Sequence, residues 1–147
     1  MRLFLLAIIF LLVSADRSQA QFEFWEKLEK VRFVSKENPD DGYHYYYPVL
    51  EGWLKDMEGT IVEVEGYYLP YDVGRKSVIL SKLPLAACFF CGGAGPESVM
   101  QINFEEKHTF ETDEIIQVSG ILRLNPDDET QLNFILDKAK LIPKYDF

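Results

Sequence analysis

The chain has 147 residues, of which 48% are hydrophobic and 14% aromatic, and its formal net charge is −9 at pH 7. This length allows one hydrophobic core, and the aromatic content excludes a wholly disordered chain. Because nucleic-acid binding is driven largely by lysine and arginine, the acidic balance excludes a nucleic-acid-binding protein.

The N-terminus has the pattern of a secretory signal peptide. An arginine at position 2 precedes an apolar run from Leu3 to Val13, and Ser18-Gln19-Ala20 offers a small-residue cleavage site. The run is too short to span a bilayer, which takes about 20 apolar residues. We therefore predict a signal peptide at 1–20 and an exported protein, periplasmic or secreted, that is not inserted in a membrane after cleavage.

Residues 21–58 are predicted to form an N-terminal extension made of a helix and loops. Apolar side chains recur at helical spacing within Phe22–Phe33, which indicates a short amphipathic helix that docks on another element. The aromatic cluster Tyr43–Tyr47 is typical of an edge strand and would also serve as a binding platform. Trp53 and Leu54 are the expected core anchors of this extension.

From residue 59 to residue 142 the hydrophobic pattern changes to a period of two, which predicts β-strands. Glycines interrupt two of these strands, at Gly66 and Gly120, as they do at the bends of a closing barrel. A change of phase near Asp137 or Lys138 predicts a bulge in the last strand. The five strands are predicted at 60–68, 77–83, 99–104, 116–124 and 132–141.

The predicted fold class is therefore all-β with a short N-terminal helix. Five short strands with interior glycines favour a five-stranded oligonucleotide/oligosaccharide-binding (OB) barrel, and a small two-sheet sandwich is the alternative. The helix that often follows the third strand of an OB barrel is not expected, because residues 105–113 are too few and too polar. Residues 143–147 are predicted to be a tail.

Both cysteines of the chain, Cys88 and Cys91, lie in a glycine-rich loop between the second and third predicted barrel strands. An oxidising compartment favours a disulfide between them. Two thiolates at this spacing also match one side of a tetrahedral zinc or copper site, for which His44, His108 and Glu97 are the candidate further ligands. A thiol oxidoreductase is the third interpretation, although no strand–helix alternation provides a thiolate-stabilising helix terminus.

Motifs of familiar enzyme classes are absent from the sequence. There is no Gly-x-Ser-x-Gly, no His-Glu-x-x-His and no Cys-x-x-Cys-His, and Gly92–Gly95 lacks the Lys-Ser/Thr of a phosphate-binding loop. We therefore predict no catalytic residue and no residue that binds an organic cofactor, with thiol–disulfide chemistry as the one enzymatic alternative.

Several motifs together resemble a family of exported bacterial proteins of unknown function. Wider relatives of that family carry one cysteine followed by histidine or cysteine and a proline-rich turn, and they are associated with transition-metal handling in the cell envelope. The resemblance implies a metal role for the cysteine pair, with envelope metal-transport components as partners, and it supplies no catalytic residue. The motifs are Trp25, Tyr46–Pro48, Gly66–Pro70, Leu80–Pro84 and Cys88–Ser98.

The leading hypothesis is an exported, non-enzymatic binding protein that holds or hands over a transition metal through Cys88 and Cys91. The alternative is a disulfide-stabilised module whose aromatic surface, Tyr43–Tyr47, meets a protein or a glycan. A thiol oxidoreductase is the third hypothesis.

Overall fold

The structure, a computed structural model, describes residues 23–71, 73–74 and 76–143. The predicted signal peptide at 1–20 and residues 144–147 of the predicted tail lie outside the described residues. The elements in chain order are α1 (residues 23–28), β1 (Phe33–Glu37), β2 (His44–Pro48), α2 (Trp53–Met57), β3 (Ile61–Leu69), β4 (Ser77–Ser81), β5 (Val99–Phe104), β6 (Ile115–Leu124) and β7 (Phe134–Leu141).

Strands β3 to β7 close into a barrel with the spatial order β3-β4-β5-β7-β6, and β6 pairs back onto β3. Neighbouring strands are antiparallel except β5 and β7, which run parallel. The prediction of an all-β fold with a five-stranded OB-like barrel is therefore confirmed, and the two-sheet sandwich is not what forms. As predicted, the connection from β5 to β6 contains no helix.

The two strand glycines lie where neighbouring strands of the barrel approach each other closely. A Cβ atom on Gly66 would lie 2.6 Å from the backbone oxygen of Ser81, and one on Gly120 would lie 2.9 Å from Cβ of Leu136. Only a residue without a side chain allows so close an approach of strands. The predicted bulge is also present, because Lys138 has a φ of 52° and the β6–β7 register shifts beside it.

Helix α1 docks its apolar face on the barrel. Phe24, Trp25 and Leu28 are buried in the same core cluster as the inward-facing strand residues. The Trp25 indole Nε1 donates a hydrogen bond to the backbone oxygen of Glu65 at 2.7 Å, and a Lys82–Glu29 ion pair lies at the helix surface. The amphipathic helix is thus confirmed, although it ends at residue 28 rather than 33.

The prediction of two core anchors in the extension is half right, and both residues lie on α2. Leu54 is buried in the core, as expected, but the Trp53 side chain is 38% exposed and the prediction of a core anchor there is wrong. Successive side chains of a helix point about 100° apart, and the side of α2 that faces the core carries Leu54, with Trp53 at its margin. Among the described residues, no helix has the length and apolar character needed to cross a membrane.

Strands β1 and β2 form a separate two-stranded sheet within the N-terminal extension. The sequence indicates β2 through its tyrosines, whereas β1 is largely polar and exposed, so that its sequence carries no such signal. Phe33, at the start of β1, packs edge-on against the ring of Phe134 with ring centroids 6.3 Å apart. This contact joins the hairpin to the barrel.

Candidate functional site

The cysteine loop, residues 82–98, lies against the outer face of the barrel. It contains three short 3-10 turns, Leu85–Ala87, Phe89–Cys91 and Pro96–Ser98. Cys88 is 0% exposed and packs with Leu69, Ile79 and Val99 in an apolar cluster separate from the barrel interior. The loop is therefore fixed to the wall of the barrel by its own small core.

Glycines allow the chain to bring the two thiols together. The amides of Cys91 and Gly93 both donate to the backbone oxygen of Cys88, at 3.2 and 3.1 Å. Gly92 adopts a φ of 75°, in the left-handed region, and a Cβ atom on Gly93 would lie 2.5 Å from the backbone oxygen of Ala87. A tight turn of this shape folds Cys91 back toward Cys88.

The thiols form one contact cluster with a phenol. Neither cysteine is in a disulfide, and Cys91 is exposed whereas Cys88 is buried. A hydrogen bond between the two thiols, followed by partial loss of water, raises the pKa of Cys91. Loss of hydration, followed by interaction with the thiols of Cys91 and Cys88, raises the pKa of Tyr71. The ring of Tyr71 packs on Phe90, with ring centroids 4.4 Å apart.

The other predicted metal ligands lie in different surroundings. His44 is on β2, where its Nδ1 lies 3.4 Å from the hydroxyl of Ser35. The imidazole of His108 packs against the ring of Phe104, with ring centroids 4.5 Å apart, and Glu97 lies in the last 3-10 turn. Across the part of the chain that the structure describes, no three His, Cys, Asp or Glu side chains group as metal ligands. The structure brings together Cys88 and Cys91, but among the described residues it does not group the other predicted metal ligands with them.

A groove of about 230 Å³ lies between β2, the cysteine loop and the connection from β6 to β7. Sequence patterns identify the tyrosines of one wall but not the groove, because its walls come from segments far apart in the chain. Its lining comprises His44–Tyr47, Phe89, Pro96, Val99, Pro126–Glu129 and Leu132 among others.

Glu129 attaches the hairpin to the β6–β7 connection. The Tyr47 hydroxyl donates to Oε1 of Glu129 at 2.7 Å, and Nδ2 of Asn38 lies 3.1 Å from both carboxylate oxygens. The hydrogen bond to Glu129 is the main cause that raises the pKa of Tyr47 to about 12. Tyr45, which donates to Asp41 at 2.7 Å, likewise has a pKa of about 12.

We expect the Glu129→Gln substitution to lower the pKa of Tyr47 from about 12 toward the ordinary tyrosine value. A carboxylate disfavours the phenolate next to it, and a neutral amide removes that repulsion. Absorbance of tyrosinate at alkaline pH, with Tyr47→Phe used to assign the transition, measures the change. Glu106→Gln, on the exposed β5–β6 connection, is the control, and an unchanged Tyr47 titration in Glu129→Gln would contradict the hydrogen-bond assignment.

The fold and the site define an all-β protein with an OB-like barrel and a pair of adjacent thiols on its outer face. No protein-family model, no curated protein and no solved structure matches the chain. Its function is therefore inferred from its own residues, and the family resemblance of its motifs stays a prediction.

Proposed function

We propose that the protein is an exported, non-enzymatic binding module that holds copper(I) between Cys88 and Cys91 for storage or hand-over. The observation that supports this most directly is the tight turn in which the amide of Cys91 donates to the backbone oxygen of Cys88, which brings a buried thiol and an exposed thiol close together. Soft thiolate ligands are those that copper(I) prefers. The buried thiol fixes one ligand in place, and the exposed thiol leaves the ion accessible to a partner.

Copper(I) fits the donor set better than zinc does. A structural zinc site takes four protein ligands, and among the described residues no His, Asp or Glu side chain joins the two sulfurs in a ligand group. Copper(I) is stable with as few as two thiolates, and a third sulfur can join while the ion moves to another protein. The proposed recipient is an envelope metal-transport component, since the chain is predicted to be exported.

Thiol–disulfide catalysis has weaker support. The attacking thiol of an oxidoreductase has a lowered pKa, commonly because it lies at a helix N-terminus or beside a cation. In this protein the pKa of the exposed Cys91 is raised, and Cys91 ends a three-residue 3-10 turn that Cys88 precedes. These properties weaken the case for catalysis of disulfide exchange.

Copper(I) titration under anaerobic, reducing conditions tests the proposal. We expect about one ion per chain in competition with a chromophoric copper(I) chelator, because the two sulfurs form one site. Cys88→Ser and Cys91→Ser should each weaken binding by about 100-fold or more, since each removes half of the ligands. His44→Ala, His108→Ala and Glu97→Gln should bind as the wild type does.

Less than about a tenth of an equivalent of bound copper would contradict the proposal, and so would binding that survives in both serine variants. A melting curve of each variant separates loss of a ligand from loss of the fold, because Cys88 also packs in the small apolar cluster.

A second candidate function is a disulfide-stabilised module that binds a protein or a glycan. It is favoured by the contact between the thiols, which in an oxidising compartment promotes a disulfide, and by the aromatic groove beside the loop. Phe89, between the two cysteines, lines that groove, so the loop contributes to both features. If the intact mass of the metal-free protein increases by two hydrogen atoms on reduction, a disulfide is present, and this function is favoured over copper binding.

A further inference from the structure

The outer edge of β2 carries backbone groups that do not pair with β1. The backbone amide of Val49 donates to the backbone oxygen of Arg32, and the backbone amide of Asn38 donates to the backbone oxygen of Tyr43, both at 2.8 Å. Residue pairs in an antiparallel ladder alternate between hydrogen-bonded and non-hydrogen-bonded pairs. Between these two flanking pairs, the hydrogen-bonded pairs are therefore Val34–Tyr47 and Lys36–Tyr45.

The backbone N–H and C=O groups of His44 and Tyr46 therefore point away from β1. Within residues 23–71, 73–74 and 76–143, no backbone or side-chain hydrogen bond from another element reaches these groups. Pro48 takes the next outward-facing position, and because it has no N–H it ends the open edge. The result is a short row of unpaired strand groups.

This open edge faces the groove. Four consecutive residues of β2, His44–Tyr47, line the groove and no residue of β1 does. The opposite wall is apolar, with Phe89 and Pro96 from the cysteine loop, and the β6–β7 connection adds the carboxylates of Asp127, Asp128 and Glu129. No hydrogen bond or ion pair from a described residue reaches the exposed carboxylate of Asp127.

We propose that the groove docks an extended, positively charged peptide segment of a partner protein, which adds to β2 as a third strand. Addition of a strand to an exposed sheet edge gives affinity through main-chain hydrogen bonds and selectivity through alternate side chains. This inference rests on the second candidate function and does not depend on copper. A lysine or arginine side chain would pair with Asp127, while apolar side chains would contact the aromatic wall.

Charge distinguishes this partner from other occupants. A second copy of the chain would bring an identical acidic groove and a net charge of −9 to the edge, and the like charges would repel. A glycan would stack on the tyrosines but has no row of amides to pair with β2. A basic extended peptide satisfies both the unpaired backbone groups and the carboxylates.

Fluorescence anisotropy with synthetic heptapeptides tests the proposal. The probe alternates lysine and valine, one matched peptide replaces lysine with glutamate, and another carries N-methyl groups on alternate amides. We expect the lysine peptide to bind, more weakly as salt increases, and each matched peptide to bind at least about 10-fold more weakly.

Two variants locate the site on the protein. Tyr46→Pro removes an outward-facing amide of β2 without removing a ladder hydrogen bond, and we expect it to weaken binding of the lysine peptide at least about 10-fold. Asp127→Lys should weaken it by a similar factor. Ser35→Pro is the matched control, because Ser35 is paired opposite Tyr46 and its amide faces the other edge of the hairpin. It should bind the peptide as the wild type does.

Equal binding of the lysine and glutamate peptides would overturn the proposal, as would undiminished binding by Tyr46→Pro or no saturable binding at millimolar peptide. A dimer in sedimentation experiments that Tyr46→Pro abolishes would assign the edge to a second copy instead. Glycan binding without peptide binding would assign the groove to glycans. The copper-free protein should still bind the peptide, so that failure of one function is distinguishable from failure of the other.

Discussion

Replacing Trp25 by alanine is expected to lower the free energy of unfolding by about 3–5 kcal/mol, which is a large fraction of the stability of a domain of this size. The indole is buried in the main core beside Phe24 and Leu28, and its Nε1 donates a hydrogen bond to the backbone of β3. The substitution therefore leaves a cavity and an unpaired backbone oxygen. Urea denaturation followed by circular dichroism measures the change.

Three further variants make this prediction specific. Trp25→Phe should cost less than Trp25→Ala, because the aromatic ring is kept and only the hydrogen bond and part of the volume are lost. Glu26→Ala, on the exposed face of the same helix, should change stability by less than about 0.5 kcal/mol. Trp53→Ala should have a small effect, since this indole is partly exposed. A loss below about 1 kcal/mol in Trp25→Ala would show that α1 does not hold the core.

Replacing Gly66 by alanine is expected to destabilise the barrel by about 3 kcal/mol, and valine at this position should prevent its closure. The new Cβ would lie 2.6 Å from the backbone oxygen of Ser81 and 3.0 Å from Cγ of Leu80. The side chain of Leu80 can shift, whereas the backbone of Ser81 is held by pairing with β3 and β5. The clash is therefore relieved only by separating β3 from β4.

Glu63→Ala is the matched control for Gly66, because Glu63 lies on the same strand and points to solvent. Its free energy of unfolding should lie within about 0.5 kcal/mol of the wild-type value in the same urea titration. If Gly66→Ala unfolded as the wild type does, the close approach of β3 and β4 at this point would be wrong.

Most of the barrel could be predicted from the sequence because its causes are local. Alternating apolar residues define each strand, and Gly66 and Gly120 mark the bends at which neighbouring strands approach closely. The bulge at Lys138 follows from a change of phase within one strand. None of these inferences needs knowledge of distant contacts.

The remaining features depend on distant contacts and could not be predicted. The hydrophobicity of Trp53 and Leu54 is similar, and only the docking angle of α2 decides which of them is buried. The groove joins β2 to residues that are more than 40 positions further along the chain. Candidate ligands such as His44 and His108 could be named from their chemistry, but their distances from the cysteine pair depend on the fold.

The separate apolar cluster beneath the cysteine loop has a consequence for the proposed hand-over of copper(I). Because Cys88 packs with Leu69, Ile79 and Val99 outside the barrel interior, we expect the loop to open locally before the β-sheet unfolds. Uptake and delivery of an ion would then cost only a local opening. The same separation would let the loop be transplanted onto another barrel of this topology without redesign of that barrel's interior.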